Sequence, residues 1–372
     1  MDGSDLVHAL RSLTDSIAAR DAADPERYPA ESVAELVELG LLTAPLPKEL
    51  GGRGLSLGGA TEVTLAIAEA SAPLSLLLSM PIGFAGMLVG AAQVAPEDQR
   101  AAFRAQTARI AGELRAGKIY AACNSEKGAG GSIAATRTAA RRAGDGYRLS
   151  GEKILASFGG NADVFFSSAR MAEGGVEMFL VETSAPGIRL REDWDGFGMR
   201  STESHTVHYE DAPAREMVGW PGFIESAQPF PWWWCLFAAI PLGCAAAMLR
   251  ALGRPAPASP VLRARLSDAL MRYEAARAYL RETAAAWRPG ADPAYRGRVT
   301  RAKTWVTQES TRICTDLFAL SGGRHYARSS PVARAFADAF AGTALRPPLP
   351  MALEMLAEGF SVDPLDAHEE WS

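Results

Sequence analysis

The chain has 372 residues, of which 48% are hydrophobic and 22% are charged, and its formal net charge is −5 at pH 7. A chain longer than one ordinary hydrophobic core predicts two or three domains. The acidic balance and the lack of a basic stripe argue against a nucleic-acid partner. The four cysteines are far apart and lack CxxC spacing, which favours reduced, buried thiols of a cytoplasmic protein over a disulfide framework or a metal site.

The first part of the chain, about residues 4–118, has a helical period. ESVAELVELGLL and GGATEVTLAIAEASAPLSLLLSM place apolar residues three and four positions apart, and PLPKELGGRG between them is a Pro/Gly loop. The amphipathic, acid-bearing N-terminus has no apolar core of the signal-peptide type. We therefore expect a cytoplasmic protein that begins with a helical domain.

From about residue 119 to 221 the period falls to two. TRTAARRAGDGYRLSGEK alternates around a Gly-Asp-Gly turn, which predicts a hairpin. ADVFFSSAR, VEMFLVE and HTVHYED are typical of further short strands. After Pro221 the helical period returns, and it predicts helices over about 229–252, 260–287 and 295–320.

The predicted order is therefore helices, a small β-barrel-like region and a helical bundle, which is an α+β fold. The expected domains are an N-terminal helical domain over 1–118, a β-barrel domain over 119–221 and a C-terminal helical bundle over 222–372.

The segment PWWWCLFAAIPLG opens the longest apolar run, Trp232 to Met248. Pro241 and Gly243 interrupt this run, which favours a buried helix over a membrane span, so no membrane association is expected. Its three consecutive tryptophans predict either packing between bundle and barrel or the wall of a ligand cavity. Three adjacent residues of a helix point in different directions, so they cannot all line one cavity.

A glycine-rich segment, NSEKGAGGS, follows the start of the β region. Its glycines allow a close approach to the backbone, and its Asn and Ser side chains offer donors and acceptors. Such a loop can hold the polar edge of a flat heterocycle or a phosphate, or it can be only a tight turn between strands. The residues concerned are Asn124, Ser125, Gly128, Gly130, Gly131 and Ser132.

The succession NSEKGAGGS, GDGYRLSGEK, ASFGGNAD and DWDGFGMRSTESHTV resembles the acyl-CoA dehydrogenase superfamily of FAD flavoproteins. LGLLTAPLPKELGGRGLSL is similar to that family's N-terminal helix–loop–helix, and LFALSGGRHYARSSPVARAFADAF to its C-terminal Gly-Gly segment. The resemblance covers about residues 28–360. It implies an N-terminal α domain, a β-barrel and a C-terminal four-helix bundle. It also implies a flavin-dependent oxidoreductase that binds FAD and acts on an acyl thioester or another small molecule, as a homodimer, a homotetramer or a hetero-oligomer.

The resemblance also assigns cofactor contacts. Ser157, with Ala156, stands where a donor approaches flavin N5, and Leu155 replaces the aromatic that commonly shields the flavin. The loop would supply the contacts to the pyrimidine edge (Asn124, Ser125) and to the pyrophosphate or the substrate's carrier arm (Gly130, Gly131, Ser132), and the Gly-Gly segment would add Gly322 and Gly323.

In that family a glutamate removes the α-proton of the thioester while the β-hydride passes to the flavin. By the resemblance, the two positions that supply this glutamate are Trp233 and Arg346 here. Neither side chain is an acid, so both are expected to line the substrate pocket, and the catalytic base is unidentified. Without a positioned base, ordinary dehydrogenation would lose about 10²–10⁴ in rate.

Other acids are weaker candidates for the base. Glu225 precedes the tryptophan helix and either reaches the pocket or is a solvated loop charge. Glu203 and Asp338 are expected to be structural, and Glu354 to lie on the surface.

Four functions are consistent with this pattern: a thioester oxidoreductase with another base, a reduced-flavin-dependent monooxygenase, a non-catalytic partner subunit of a hetero-oligomer, and an inactive scaffold. Arg250 or Arg254 would contact the flavin diphosphate, or would only close a helix end.

Overall fold

The structure is a computed structural model that describes residues 4–290 and 292–360. The N-terminal helices are α1 (Ser4–Arg11), α2 (Thr14–Ala23), α3 (Ala30–Glu38), α4 (Leu57–Ala70), α5 (Ala72–Val94) and α6 (Arg100–Arg115). The strands are β1 (Tyr120–Ala122), β2 (Ala139–Ala143), β3 (Gly146–Ala156), β4 (Val164–Met171), β5 (Gly174–Glu182), β6 (Ile188–Arg191), β7 (His205–Ala214) and β8 (Glu216–Met217). The C-terminal helices are α7 (Phe223–Ala227), α8 (Pro231–Gly253), α9 (Pro260–Ala285), α10 (Pro293–Leu320), α11 (Pro331–Ala339), α12 (Ala341–Ala344) and α13 (Leu349–Glu358).

The order of helices, strands and helices agrees with the α+β fold expected from the sequence. The three long helices predicted after Pro221 are α8, α9 and α10, with every end within two residues of its expected position. Local chemistry explains these ends, because Ser259 and Asp292 accept hydrogen bonds from backbone amides in the first turns of α9 and α10, and a proline follows each cap. The boundaries 1–118, 119–221 and 222–372 stay predictions, and residues 1–3, 291 and 361–372 lie outside the described residues.

The strands form one sheet in the order β6-β7-β3-β2-β4-β5-β8, with β1 beside β4. The predicted hairpin is β2 and β3, which pair antiparallel with Ala143 opposite Gly146. The other predicted strands are β4, β5 and β7. The sequence reading missed β1, β6 and β8, because strands of two to four residues are too short to show a period.

Helix α8 is the centre of the helical part, where it packs against α4, α5, α10 and α11. Among the described helices, α5 and α8 are long and apolar enough to cross a membrane, but 94% and 78% of their most apolar windows are buried inside the protein. Burial on nearly every face explains why these two sequences are apolar throughout rather than amphipathic.

All four cysteines are unpaired and buried, as the sequence predicted. Within residues 4–290 and 292–360 no cluster of three His, Cys, Asp or Glu side chains has the arrangement of a metal site.

Candidate active site

A cavity of about 310 Å³ lies where the sheet meets α5, α8 and α11. This volume is within the range of about 300–1,000 Å³ that is usual for small-molecule sites. We call it the inner cavity. Eight of its lining side chains are aromatic: Phe166, Trp194, Phe197, Phe230, Trp233, Trp234, Phe237 and Phe340. An apolar, aromatic space of this size suits a flat ligand.

The end of β3 forms the polar wall of the inner cavity. The pairing of β3 with β7 shifts register between Lys153 and Ala156, and Leu155 takes a left-handed backbone conformation with φ of 58°. That conformation is costly for a side chain with a Cβ, and such strain concentrates at functional sites. Both Leu155 and Ser157 line the inner cavity, whereas Ala156 between them is fully buried and does not.

Two hydroxyl groups and a carbonyl fix the orientation of the Ser157 hydroxyl. Its Oγ lies 2.9 Å from Ser204 Oγ, which lies 2.7 Å from Thr202 Oγ1. The Thr202 hydroxyl donates to the Met199 carbonyl at 2.8 Å. Since a hydroxyl has one proton, Ser204 donates to Thr202 and Ser157 donates to Ser204. The Ser157 hydroxyl therefore presents lone pairs to the cavity, and the donor toward flavin N5 that the resemblance implied stays a prediction.

The loop between β1 and β2 supplies the rest of the polar wall. The Ser168 amide donates to Asn124 Oδ1 at 2.7 Å, and the Ile154 amide donates to the Ser125 carbonyl at 2.8 Å. Both Asn124 and Ser125 line the inner cavity, and their contact with a cofactor stays a prediction. The sheet itself holds these two residues in place.

A buried ion pair supports this loop from below. Lys153 Nζ donates to Glu126 Oε1 at 2.7 Å, and the amides of Arg137 and Thr138 donate to the same carboxylate. Burial alone would raise the pKa of Glu126, but the hydrogen bonds from Lys153 and the amides lower it to about 2. The sequence does not indicate this pair, because Glu126 and Lys153 each stand next to a residue of opposite charge, Lys127 and Glu152.

Arg346 joins the C-terminal segment to the same loop. Its Nη1 donates to the Gly131 carbonyl at 2.7 Å and its Nη2 to the Asn124 carbonyl at 2.9 Å. Lys303, fully buried on α10, holds the segment that carries Arg346 by donating to the carbonyls of Gly342, Leu345 and Pro347 at 2.7 to 2.9 Å. A cation thus stands, well anchored, where the resemblance places a glutamate.

The three tryptophans diverge, as helical geometry predicts. Trp233 and Trp234 line the inner cavity, and Trp232 does not. Trp232 packs edge-on against Trp287 with ring centroids 5.4 Å apart, whereas Trp233 lies 5.6 Å from Phe166. The cavity-wall reading therefore holds for Trp233 and Trp234. Trp232 packs within the helical part, against Trp287 and Gly86 of α5, rather than between bundle and barrel.

None of the four candidate acids lines the inner cavity. Asp338 is half-buried and accepts a hydrogen bond from the Met199 amide at 2.6 Å, which fits the structural role expected of it. Glu203 accepts from Asn161 at 2.6 Å, and Glu354 is exposed. Glu225 lines an adjoining cavity of about 440 Å³, which we call the outer cavity. Among the described residues, the inner cavity has neither a carboxylate nor an imidazole in its wall.

Several predicted cofactor contacts lie elsewhere in this chain. Gly131 and Ser132 line the outer cavity, but a Cβ on Gly131 would lie 2.5 Å from Pro348, so this glycine makes room for the protein itself. Gly130 lines neither cavity. Gly322 and Gly323 are exposed, outside both cavities, so their contact with a flavin stays a prediction that needs a second subunit.

Three segments of the chain match the domains of one protein family. Residues 7–110 match the N-terminal domain of acyl-CoA dehydrogenases, residues 121–212 the middle domain and residues 236–345 the C-terminal domain. The chain belongs to the acyl-CoA dehydrogenase family. It is a flavin-dependent oxidoreductase of this fold, as the sequence motifs implied.

The similarity extends to proteins with different names within the family. L-evernosamine nitrososynthase of Micromonospora sp. is 28% identical over 93% of this chain and 87% of its own. Mitochondrial isobutyryl-CoA dehydrogenase of Dictyostelium discoideum is 25% identical over 84% of this chain and 77% of its own. The solved structure of KijD3 with FMN and a dTDP-linked amino-keto sugar superposes with a TM-score of 0.82 at 23% identity, covering 95% and 92% of the two chains.

The inner cavity of this acyl-CoA dehydrogenase family member suits a flavin ring. Asn124, Ser125, Ser157 and Ser204 supply hydrogen-bonding groups from the sheet side, Arg346 adds a cation, and most of the remaining wall is apolar. A flat heterocycle with one polar edge needs this division. The family is FAD-dependent, which supports the FAD expected from the sequence.

Arg250 has the helix-end role that was one of its two predicted roles. It lies in the last turn of α8 and donates to Glu69 of α4 at 2.5 Å. Arg254, next to the C-terminal end of α8, lines the same surface groove as Arg250. A diphosphate contact by either arginine stays a prediction.

Sequence reasoning missed much of the aromatic lining. Trp194 and Phe197 belong to DWDGFGMRS, a segment that the sequence analysis used only for the family resemblance. The Trp194 indole donates to the Met199 carbonyl at 3.0 Å. Phe197 is 71% exposed at the cavity rim. The signal was an aromatic pair in a Gly/Asp-rich segment, where packing does not require such residues.

Proposed function

We propose that this enzyme uses reduced flavin and O₂ to transfer an oxygen atom to a small substrate with a flat, apolar part. The observation that supports this function is the wall of the inner cavity, which among the described residues has eight aromatic side chains and neither a carboxylate nor an imidazole. Thioester dehydrogenation requires a positioned base to take the α-proton. Oxygen transfer requires no such base at the substrate carbon.

The overall reaction needs O₂, two electrons and two protons to give an oxygenated substrate and one water. A bound flavin supplies the two electrons. The aromatic walls exclude bulk water and hold a flat substrate face-on. Ser157, with its proton donated to Ser204, accepts a hydrogen bond from a ligand N–H. Arg346 supplies positive charge, which favours negative charge developing on oxygen nearby.

The relatives support two reactions. The nitrososynthase relative and the FMN complex of KijD3 support flavin chemistry on a small molecule without a thioester. The isobutyryl-CoA dehydrogenase relative supports oxidation of an acyl thioester, and one observation favours this second candidate: the outer cavity adjoins the inner one and could take a carrier arm.

Product analysis under ¹⁸O₂ tests the first function. The purified chain would receive FAD, a flavin reductase with NADH, and indole as a flat apolar probe. We expect ¹⁸O-labelled hydroxyindole that forms only when chain, reductase and probe are all present. Ala341→Phe would place a ring in the inner cavity and should abolish the product, whereas Ala101→Phe on the exposed face of α6 should not.

A second measurement separates the remaining functions. Acyl-CoA thioesters of several chain lengths would be added to the flavin-loaded chain without oxygen. Bleaching of the flavin absorbance, without labelled product in the first assay, would overturn oxygen transfer in favour of dehydrogenation. A chain that binds flavin only when co-expressed with a second protein would instead indicate the partner-subunit function.

We also propose that the chain acts in the cytoplasm as a homodimer or homotetramer, with a hetero-oligomer as the alternative. Large apolar side chains on the surface support self-association: Val261 and Met271 on α9 are 68% and 63% exposed, and Tyr326 is 82% exposed. Light scattering of the purified chain measures the assembly, and a monomer at micromolar concentration would contradict it.

A further inference from the structure

Arg346 lies at the junction of the two cavities. The inner and outer cavities share four wall residues, Ile133, Phe230, Trp234 and Arg346. Three of these are apolar, so Arg346 is the charged part of the shared wall. A ligand that extends from the inner into the outer cavity would pass this guanidinium.

The guanidinium has donors to spare. It carries five N–H groups, and its two hydrogen bonds, to the Gly131 and Asn124 carbonyls, use one on Nη1 and one on Nη2. The bonds fix the plane of the group and leave its other donors for a ligand. Among the described residues no carboxylate lies within 4.0 Å of it. Burial lowers the pKa of Arg346 to about 10, so the group is positively charged at neutral pH.

The charges around this junction favour an anion. Among the described residues, Arg346 is the only charged residue in the wall of the inner cavity. The outer cavity adds Arg170 and Arg296 against one acid, Glu225. Arg170 is itself held in place, because it donates to the carbonyls of Thr136 and Ala134. Three arginines against one glutamate give the two cavities a positive field, which concentrates anionic ligands.

We propose that the substrate carries an anionic oxygen group, a carboxylate or a phosphate, next to its flat apolar part, and that Arg346 binds this group at the junction of the two cavities. The inference rests on the proposed function for its flat substrate but not on the reaction. A planar guanidinium matches the paired oxygens of these anions in a bidentate geometry. Arg346 thus selects the substrate by charge, while the aromatic wall selects it by shape.

Paired ligands that differ only in charge test this selection on the flavin-loaded full-length protein. Indole-3-carboxylate against indole-3-carboxamide probes a carboxylate on the substrate itself. Pantetheine 4′-phosphate against pantetheine probes a phosphate on a carrier arm. Dissociation constants come from calorimetry. We expect the wild type to prefer the anion of at least one pair by about tenfold or more, since charge-assisted hydrogen bonds are about twice as strong as neutral ones.

Variants of Arg346 test whether this residue causes the preference for the anionic ligand. In Arg346→Met the ratio of the two dissociation constants should fall to within about twofold. A merely structural role would weaken both ligands alike and would not move this ratio. Arg346→Lys should keep part of the preference. Arg346→Gln gives a second uncharged variant should the methionine variant unfold. Arg312→Met, an exposed arginine outside both cavities, is the matched control.

The outcomes separate cleanly. Equal affinities within both pairs for the wild type, or a preference that survives in Arg346→Met and Arg346→Gln, would overturn the inference. Whichever pair responds to Arg346 identifies the source of the anion. No turnover is measured, so a failure of oxygen transfer in the activity assays would leave this result unaffected.

Discussion

The two walls of the inner cavity are built by different means. The sheet wall is held by directional bonds, the Lys153–Glu126 pair below the loop and the hydroxyl chain that ends at Ser157. The helical wall is held by packed rings, and Trp233 Nε1 has no hydrogen-bond partner among the described residues. Bonds fix polar atoms to within a few tenths of an ångström, whereas packing fixes volume. The sheet wall therefore suits a ligand with a defined polar edge, and the helical wall selects shape.

Removal of the buried Lys153 cation should destabilise the sheet wall more than any other change considered below. Lys153→Met leaves the Glu126 carboxylate buried without its ion pair, and loss of one partner of such a pair typically costs about 3–5 kcal/mol. Urea unfolding should show this loss in the free energy of unfolding. Adding Glu126→Gln should restore part of it, because no uncompensated charge remains. Lys127→Met on the exposed side of the loop is the control, and an equal loss there would contradict the assignment.

Asp338 links the two walls, and its contribution depends on pH. Burial raises the pKa of Asp338 to about 7. The hydrogen bond from the Met199 amide lowers this pKa, and the negative charge of Asp21 raises it. The folded state then binds one more proton than the unfolded state between about pH 4 and 7, so stability from this group is present at low pH and is lost as the pH rises to 7. The slope is about 1.4 kcal/mol per pH unit.

Asp338→Asn removes this titration. The free energy of unfolding of the variant, measured relative to wild type, should rise steadily from pH 4 to pH 7 and then stay level. Urea unfolding at four pH values measures the difference, in which the other titrating groups cancel. A difference that stays constant with pH would show that the carboxyl is charged throughout, and that its bond to Met199 outweighs its burial.

Two glycines of α5 test the helical wall as a matched pair. A Cβ on Gly83 would lie 2.3 Å from Trp233, and a Cβ on Gly86 would lie 2.3 Å from Trp232. Overpacking of this kind costs about 1–3 kcal/mol, offset by up to about 1 kcal/mol of helix propensity. Gly83→Ala and Gly86→Ala should therefore lose similar stability.

Only one of the pair should affect the cavity. Trp233 lines it and Trp232 does not, so Gly83→Ala should weaken the binding of indole about tenfold and Gly86→Ala should leave it within about twofold. Calorimetry on the folded variants measures both. Equal losses of affinity would mean that the helical wall acts as one packed unit and that the comparison between its tryptophans is wrong.

The sequence predicted the sheet wall better than the helical wall. Asn124 and Ser125 could be found because glycines mark such a loop locally, and Ser157 because the family resemblance placed it there. Phe237 and Phe340 could not, because an aromatic residue in an apolar helix has the same pattern whether it faces a core or a cavity. Helix geometry predicts that Trp232 and Trp233 diverge. Which of them faces the cavity depends on how α8 packs against Gly83 and Gly86 of α5, about 150 residues away along the chain.

The direction of hydrogen bonds was also beyond the sequence. The role of Ser157 as an acceptor follows from Thr202 and Ser204, which the register of β7 against β3 brings beside it. Arg346 lines the inner cavity, and its role in a substrate pocket stays a prediction; its anchoring by two carbonyls of a distant loop requires the tertiary structure. Contacts between segments 200 residues apart leave no local pattern.

The smallest expected effect concerns the hydroxyl chain. Ser204→Ala frees the Ser157 proton, so Ser157 changes from an acceptor to a donor toward the cavity. The family resemblance predicts that Ser157 lies near flavin N5, which carries an N–H in the reduced flavin and accepts a hydrogen bond in the oxidised flavin. The variant should therefore favour the oxidised form. A hydrogen bond worth about 0.5–1.5 kcal/mol corresponds to a fall of about 10–30 mV in the two-electron midpoint potential.

Spectroelectrochemical titration of the flavin-loaded protein measures this shift. Ser226→Ala removes a hydroxyl that pairs with Trp220 outside the inner cavity and should leave the potential unchanged. A rise in potential in Ser204→Ala would mean that Ser157 already donates to the cavity in the wild type. In that case the proton order along Thr202, Ser204 and Ser157 is reversed, and the sheet wall presents a donor rather than an acceptor to the ligand's polar edge.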